Sequence, residues 1–150
     1  MRRMLCCLLL AGGLQTLAAS SALAYTGRQI WDLHRLNRVR SAHGVRSALH
    51  LGGRMTRRAQ SWANHLARLD RGAADDTSGA TVCWRRDGSH YGANSALAKG
   101  FSDNLSRDQF DLEHSPPHLA NIVNGRYRWV GIGIASSRRG LILVQDFCGR

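Results

Sequence analysis

Seven histidines, His34, His43, His50, His65, His90, His114 and His118, are the side chains best suited to acid–base or metal chemistry in this sequence. His114 and His118 stand four apart, the spacing that turns two imidazoles to one side of an unbroken helix, as zinc peptidases require. Pro116 and Pro117 interrupt any such helix, and no glutamate follows the first histidine, so the pattern does not describe a zinc peptidase. Acidic partners are few. Glu113 is the single glutamate, and Asp108 and Asp111, one helical turn apart, read as a solvated face at a helix start. Asp75 and Asp76 fall in a small, polar stretch with too few oxygen ligands for calcium. No G-x-S-x-G elbow occurs, and Gly131-Ile132-Gly133 lies within an expected strand, which argues against both a serine hydrolase and a phosphate loop. His118 follows two prolines in the first turn of an expected helix, where the positive end of the dipole disfavours an imidazolium. Its neutral ring is then suited to ligating or donating, or simply to packing between helix and sheet.

The elements that would position these residues come from one domain, since 150 residues are too few for two independent cores. A basic start, Met1 to Met4, precedes an apolar stretch from Leu5 to Ala19 that is too short to span a bilayer. Ala22-Leu23-Ala24 supplies the small-x-small pattern of a cleavage site, so residues 1–24 read as a signal peptide and 25–150 as the working domain. That expectation makes the protein secreted or periplasmic rather than membrane-spanning. Cys6 and Cys7 leave with the signal, so Cys83 and Cys148 remain to form one bridge in an oxidising compartment, with a catalytic thiol as the rival reading. The charge is +11, or +9 once Arg2 and Arg3 are removed, and every basic residue except Lys99 is arginine. Such a chain is attracted to anionic surfaces, but it carries no nucleic-acid motif, and an export signal argues against that partner.

Apolar spacing predicts a helix over residues 28–42, with Ile30, Leu33, Leu36, Asn37 and Arg40 on one face and Gly44 as its stop. A second helix begins near Gly53, with Met55, Ala59, Trp62, Ala63, Leu66 and Leu69 as its buried stripe. Residues 71–79 read as a loop, Ala80 to Trp84 as a short β-prone run, and Arg85 to Asn104 as a long irregular connection. Residues 106–113 predict a short helix capped by Ser106 and using Phe110 and Leu112. Ser115 caps the next helix, with Pro116 as its first residue and Asn124-Gly125 as its end. Trp129 to Ala135 and Leu141 to Phe147 form a β-hairpin around a five-residue loop. Helices early and an antiparallel pair at the end define an α+β fold.

The stretch Asn37 to Val45, the segment Leu49 to Leu51, and Ala59 with Trp62-Ala63 resemble the first two helices of the CAP superfamily, the cysteine-rich secretory, antigen 5 and pathogenesis-related-1 proteins. Ser115-Pro116-Pro117-His118-Leu119-Ala120-Asn121-Ile122-Val123 is similar to the S-P-G-H-R-A-N-I-L stretch of bacterial members, and Tyr127 to Ile134 with Val144 to Phe147 resembles their closing hairpin. The resemblance, over about residues 28–148, implies an α-β-α sandwich with a central antiparallel sheet, and secretion. It also implies a cleft of two histidines and two glutamates able to hold a divalent cation such as zinc. His118 matches the second histidine of that set, and His90 the first if a gap is allowed. Gly92-Ala93-Asn94 stands where the family has G-E-N, and the other glutamate falls near Ser115. The resemblance therefore implies a degenerate cleft around Asn94, Ser115 and His114. His118 and His90 are its weak metal ligands, and it has no other cofactor.

The leading expectation is a secreted, monomeric, non-catalytic binding protein acting on a lipid, an envelope component or a protein partner. The alternative is a secreted hydrolase of cell-wall or protein substrate centred on His118 with Asp103 and Asp111. A structural or toxin-neutralising secreted module is the third.

Overall fold

The computed structural model describes residues 24–70, 74, 79–84, 90–99 and 104–150, so the expected signal peptide and most of the 71–79 loop lie outside the described residues. Helix α1 spans Gly27–Ala42 and opens on a capping box, in which Thr26 accepts from the Gln29 amide while the Gln29 side chain reaches back. Its inward face is Gln29, Asp32, Leu36 and Arg40, whereas Ile30 is exposed. Three of these four buried residues are polar, and two of them, Gln29 and Asp32, lie outside the expected face. Helix α2, Gly53–Leu69, largely follows its predicted periodicity: Met55, Ala59, Ala63 and Leu66 are buried, Trp62 is half-buried, and Leu69 turns outward.

Two segments depart from expectation. Residues Gly79–Trp84 form a helix, α3, rather than a strand. Thr81 and Val82 favour extended backbone locally, but Cys83 is bridged to Cys148 (S–S 2.03 Å). The strand carrying Cys148, β4 (Gly140–Gly149), already has a hydrogen-bonded neighbour on each side. A segment tied to it must lie on its face and cannot join the sheet. Conversely, the expected irregular connection contains strand β2, His90–Lys99, paired with β4 from His90↔Gly149 to Lys99↔Gly140. Its small and polar residues show no apolar alternation, because helices cover the sheet on both faces and the neighbouring strand supplies the order.

Strand β1 (His50–Leu51) pairs in parallel with β3 (Tyr127–Ser137), so the sheet, in order β1-β3-β4-β2, is mixed rather than purely antiparallel. The closing hairpin is longer than predicted. Pairing runs out to Ser137↔Gly140 and leaves a two-residue turn, Arg138–Arg139, in place of a five-residue loop. Gly140, at φ +143°, accepts a backbone conformation that a side chain would resist. Helix α4 (Leu105–Glu113) is capped by Asn104, which accepts from the Arg107 amide, and not by Ser106, which donates to Asn104. It buries Leu105, Asp108, Gln109 and Leu112, while Phe110 is exposed. Asp108 is thus an interior group and not part of a solvated face. Helix α5, Pro116–Ile122, starts after Ser115 as expected, although the Ser115 hydroxyl makes no capping bond.

The sheet is the middle layer. On one face α1, α4 and α5 enclose Leu36, Ile122, Val130, Ile132, Leu143 and Phe147. On the other, α2 packs Ala59, Ala63 and Leu66 against Ile142 and Val144, with Met55 beside the disulfide. This is the α-β-α sandwich of the α+β class.

Candidate functional site

The polar residues inside the first face form one connected chain. The Gln145 amide on β4 donates to Asp32 Oδ2 of α1 (2.8 Å) and to Gln109 Oε1 of α4 (2.7 Å). Gln109 donates onward to Glu113 (3.0 Å), and Arg35 closes on Glu113 with both Nε (2.7 Å) and Nη2 (2.5 Å). Burial opposes the Glu113 charge, but Arg35 and Gln109 hold its carboxyl below the usual range. From β2, Asn94 donates to the His118 carbonyl (3.1 Å) and accepts from Asn121 of α5 (2.9 Å). Amides thus stitch both strands to all three helices.

Asp32 and Asp108 are fully buried, and burial pushes each carboxyl up to about 7. For Asp32 the Gln145 amide lowers the value in part and Glu113 raises it, while Oδ1 has no hydrogen-bond partner among the described residues. For Asp108 the Ala98 N–H lowers it without completing a bond of normal geometry, and Asp111 and Asp32 raise it. An acid whose folded value lies above its unfolded one contributes stability that is complete below about pH 4 and lost as pH rises through about 7. Glu113 has the opposite sign and acts only under more acidic conditions. The protein should therefore melt at a higher temperature at pH 5 than at pH 8, and Asp32→Asn, which keeps an acceptor for Gln145, should shrink that difference. Melting temperatures that rise from pH 5 to pH 8 in the parent would contradict this assignment.

The expected cleft residues are only partly brought together. Asn94 is buried and lies against the His118 carbonyl. Ser115 is half-buried at the head of α5. His114 ends α4, stacked on Phe110 (centroids 3.8 Å apart) with its Nδ1 2.8 Å from the Phe110 carbonyl. His90 opens β2, and four residues of strand rise, about 13 Å, separate it from Asn94. Among the described residues no three of His, Cys, Asp and Glu are grouped to hold a metal. The donor chemistry points the same way, since Asn94 directs amide hydrogens at its neighbours and its one oxygen is taken by Asn121. Asn94 is thereby committed to protein partners. Of the acids assigned to a hydrolase, Asp111 is exposed and paired with Arg107 (3.1 Å), and Asp103 lies outside the described residues.

What the sequence reading missed is a groove of about 380 Å³ lined by α1, α4 and α5. Val39, Ala42 and Leu119 supply its apolar surface, and Arg38, His43, His114 and the Arg35–Glu113 pair its polar edge. Periodicity finds Val39 and Ala42 only as helix residues. Nothing local signals that Glu113, 78 residues away, closes the groove against Arg35.

A disulfide fastens helix α3 to an inner strand, β4, of the three-layer sandwich. The sequence profile of the cysteine-rich secretory protein (CAP) family matches residues 33–147, and the chain belongs to that family. No curated protein matches at a significant level. Among solved structures the chain is similar to an extracellular SCP-domain protein of Bacillus anthracis, with TM-score 0.61 and 15% identity over 83% of this chain and 41% of the other. A cysteine-rich secretory protein of Staphylococcus aureus gives 0.59 and 13% over 82% and 39%. The outer surface protein of Borrelia burgdorferi gives 0.61 and 17% over 82% and 92%. The chain thus spans about two fifths of the first two proteins and nearly all of the third. At these identities the likeness is one of fold. Among the described residues no helix is long and apolar enough to cross a membrane.

Proposed function

We propose that this protein acts outside the cytoplasm as a binding protein with no reaction of its own, and that the groove between α1, α4 and α5 receives an anionic amphiphile such as an envelope lipid. The observation that carries the reading is the groove's composition. An apolar surface from Val39, Ala42 and Leu119 lies beside the exposed guanidinium of Arg38, while the one carboxylate present is already neutralised by Arg35. A volume of about 380 Å³ falls within the range of small-molecule pockets. Apolar walls with a few placed polar groups suit a chain with a charged head. Support for export comes from the signal-like start of the sequence and from the Cys83–Cys148 bridge, which an oxidising compartment maintains.

A dansyl-labelled long-chain carboxylate, titrated against the protein, tests this. Ala42→Trp places an indole in the groove at an exposed position and should weaken binding roughly tenfold or more. Arg38→Gln should weaken it several-fold at low salt and remove most of its salt dependence. Equal affinity in parent and Ala42→Trp, or release of a cleaved product, would sink the reading.

A further inference from the structure

We propose that the outer face of α2 is a second binding surface, one that takes a linear polyanion built of closely spaced phosphate groups. It lies across the sheet from the groove and does not rest on the groove reading. Arg54, Arg57, Arg58, Ser61, His65 and Arg68 recur at helical steps that gather them into one sector about 100° wide, opposite the buried Met55, Ala59, Ala63 and Leu66. Arg54, Arg57 and Arg68 are exposed. At 1.5 Å per residue the row runs about 21 Å from Arg54 to Arg68. It continues past the helix end, where Arg139 Nη1 donates to the Asp70 carbonyl (3.3 Å) and brings the Arg138–Arg139 turn alongside.

The helix itself contains no Asp or Glu, and Asp70, its cap, is the acid at that end. On the opposite layer Arg35 is paired with Glu113, Arg107 with Asp111 and Arg40 with backbone carbonyls, while Arg38 is exposed as a single cation beside the groove. Midway along the row, a hollow of about 200 Å³ is lined by Arg58, Ser61, Trp62, His65 and Arg68, with the Trp62 and His65 rings stacked 5.1 Å apart. Planar guanidinium groups favour two-pronged contacts to phosphate. The exposed large apolar residues Ile30, Trp31, Phe110 and Trp129 belong to α1, α4 and β3, so α2, with only Leu69 at its end, offers charge without an apolar wedge. That suits a chain lying along the helix better than insertion into a bilayer.

The test is titration of the whole exported domain with long-chain inorganic polyphosphate at several salt concentrations. The parent should bind with an affinity that falls steeply with salt. Arg57→Gln with Arg68→Gln should weaken binding roughly tenfold to thirtyfold at low salt and reduce the log–log salt slope by about two. Arg57→Lys with Arg68→Lys should keep the slope, and Arg38→Gln, whose effect belongs to the groove, should leave polyphosphate binding as in the parent, each variant melting at the parent's temperature. The proposal is overturned if the parent ignores polyphosphate or if the double Gln variant binds as the parent does. It is equally overturned if Arg38→Gln proves the damaging change. Tighter binding to phosphatidylglycerol vesicles, or to duplex DNA, than to polyphosphate would reassign the face and end it as well.

Discussion

Replacing Gly133 by alanine should cost about 4 kcal/mol or more, enough to lower the melting temperature by well over 10 °C, because the added methyl has nowhere to go. A Cβ built at Gly133 would sit 2.1 Å from the Ala59 carbonyl oxygen, 2.2 Å from its carbon and 2.6 Å from the Gln60 nitrogen. All three are backbone atoms of α2, so no side chain can swing aside. At Gly131, one pleat earlier, the Met55 carbonyl stands 2.4 to 2.5 Å away. The two glycines form a flat track on β3 along which the helix lies directly on the strand, and Gln60 locks the arrangement by donating to the Ile134 carbonyl (2.7 Å) and accepting from its amide (3.1 Å). Moving α2 outward by the ångström or so required would pull Ala59 and Ala63 off Val144 and break both Gln60 bonds. Against a total stability of some 5–15 kcal/mol that is a large fraction. Gly125→Ala is the control: nothing lies within 4 Å of its Cβ, and its melting temperature should stay within a degree or two of the parent. Circular dichroism melts of the two variants decide the matter, and an unshifted Gly133→Ala would mean that the helix does not lie so close.

The same glycine pair shows how much the sequence discloses. Gly131-Ile132-Gly133 is legible as strand, and therefore as neither a phosphate loop nor a nucleophile turn, but its purpose is a contact with Ala59, more than 70 residues upstream, which no local pattern reports. The α2 stripe was readable from its apolar period, and the closing hairpin from two β-prone runs on either side of a turn signal. Strand β2 was not, since Gly92, Asn94 and Ser95 take their order from β4 and from Asn121 and Tyr127 pressed against them. The helix at Gly79–Trp84 was hidden for a related reason. Its disulfide partner was correctly foreseen, yet the crowding of β4 by two neighbours, which keeps the segment out of the sheet, is a property of the assembled fold. The site divides similarly. The family resemblance names Asn94 and His118 as cleft residues, and the Asn94 amide donates to the His118 backbone carbonyl. The groove built from Arg35, Val39, Glu113 and Leu119 needs α1 to lie beside α4 and α5 before any of its residues become neighbours.

Arg40 is the position where a buried charge should prove hardest to remove. It falls on the helical spacing of α1 among apolar residues, and it is indeed 1% exposed, without an acidic partner in its hydrogen bonds. Burial lowers its pKa, and Arg128 adds to the effect, yet an arginine stays protonated. Its charge is balanced by carbonyl dipoles instead. Nε and Nη2 donate to the Ser47 carbonyl (3.1 and 2.9 Å), Nη1 to those of Ile122 (2.7 Å) and Asn124 (3.0 Å), and Nη2 also to that of Tyr127 (3.2 Å). Two of these oxygens lie at the C-terminal end of α5, where the helix dipole is negative and favours a cation. One guanidinium thereby ties the end of α1 to the segment leading into β1, to the exit of α5 and to the first residue of β3. Arg40→Met preserves much of the volume but takes a donor from four carbonyls, of which Asn124 and Tyr127 keep a second one (the Tyr127 amide and Arg128), and it should destabilise the protein by about 3–5 kcal/mol. Arg40→Lys keeps the charge with three donors and no planar fork, so it should recover about half of that loss. Urea unfolding of the three proteins measures the difference. A Met variant as stable as the parent would show that the carbonyls had found water, and that the guanidinium is not what holds these four segments together.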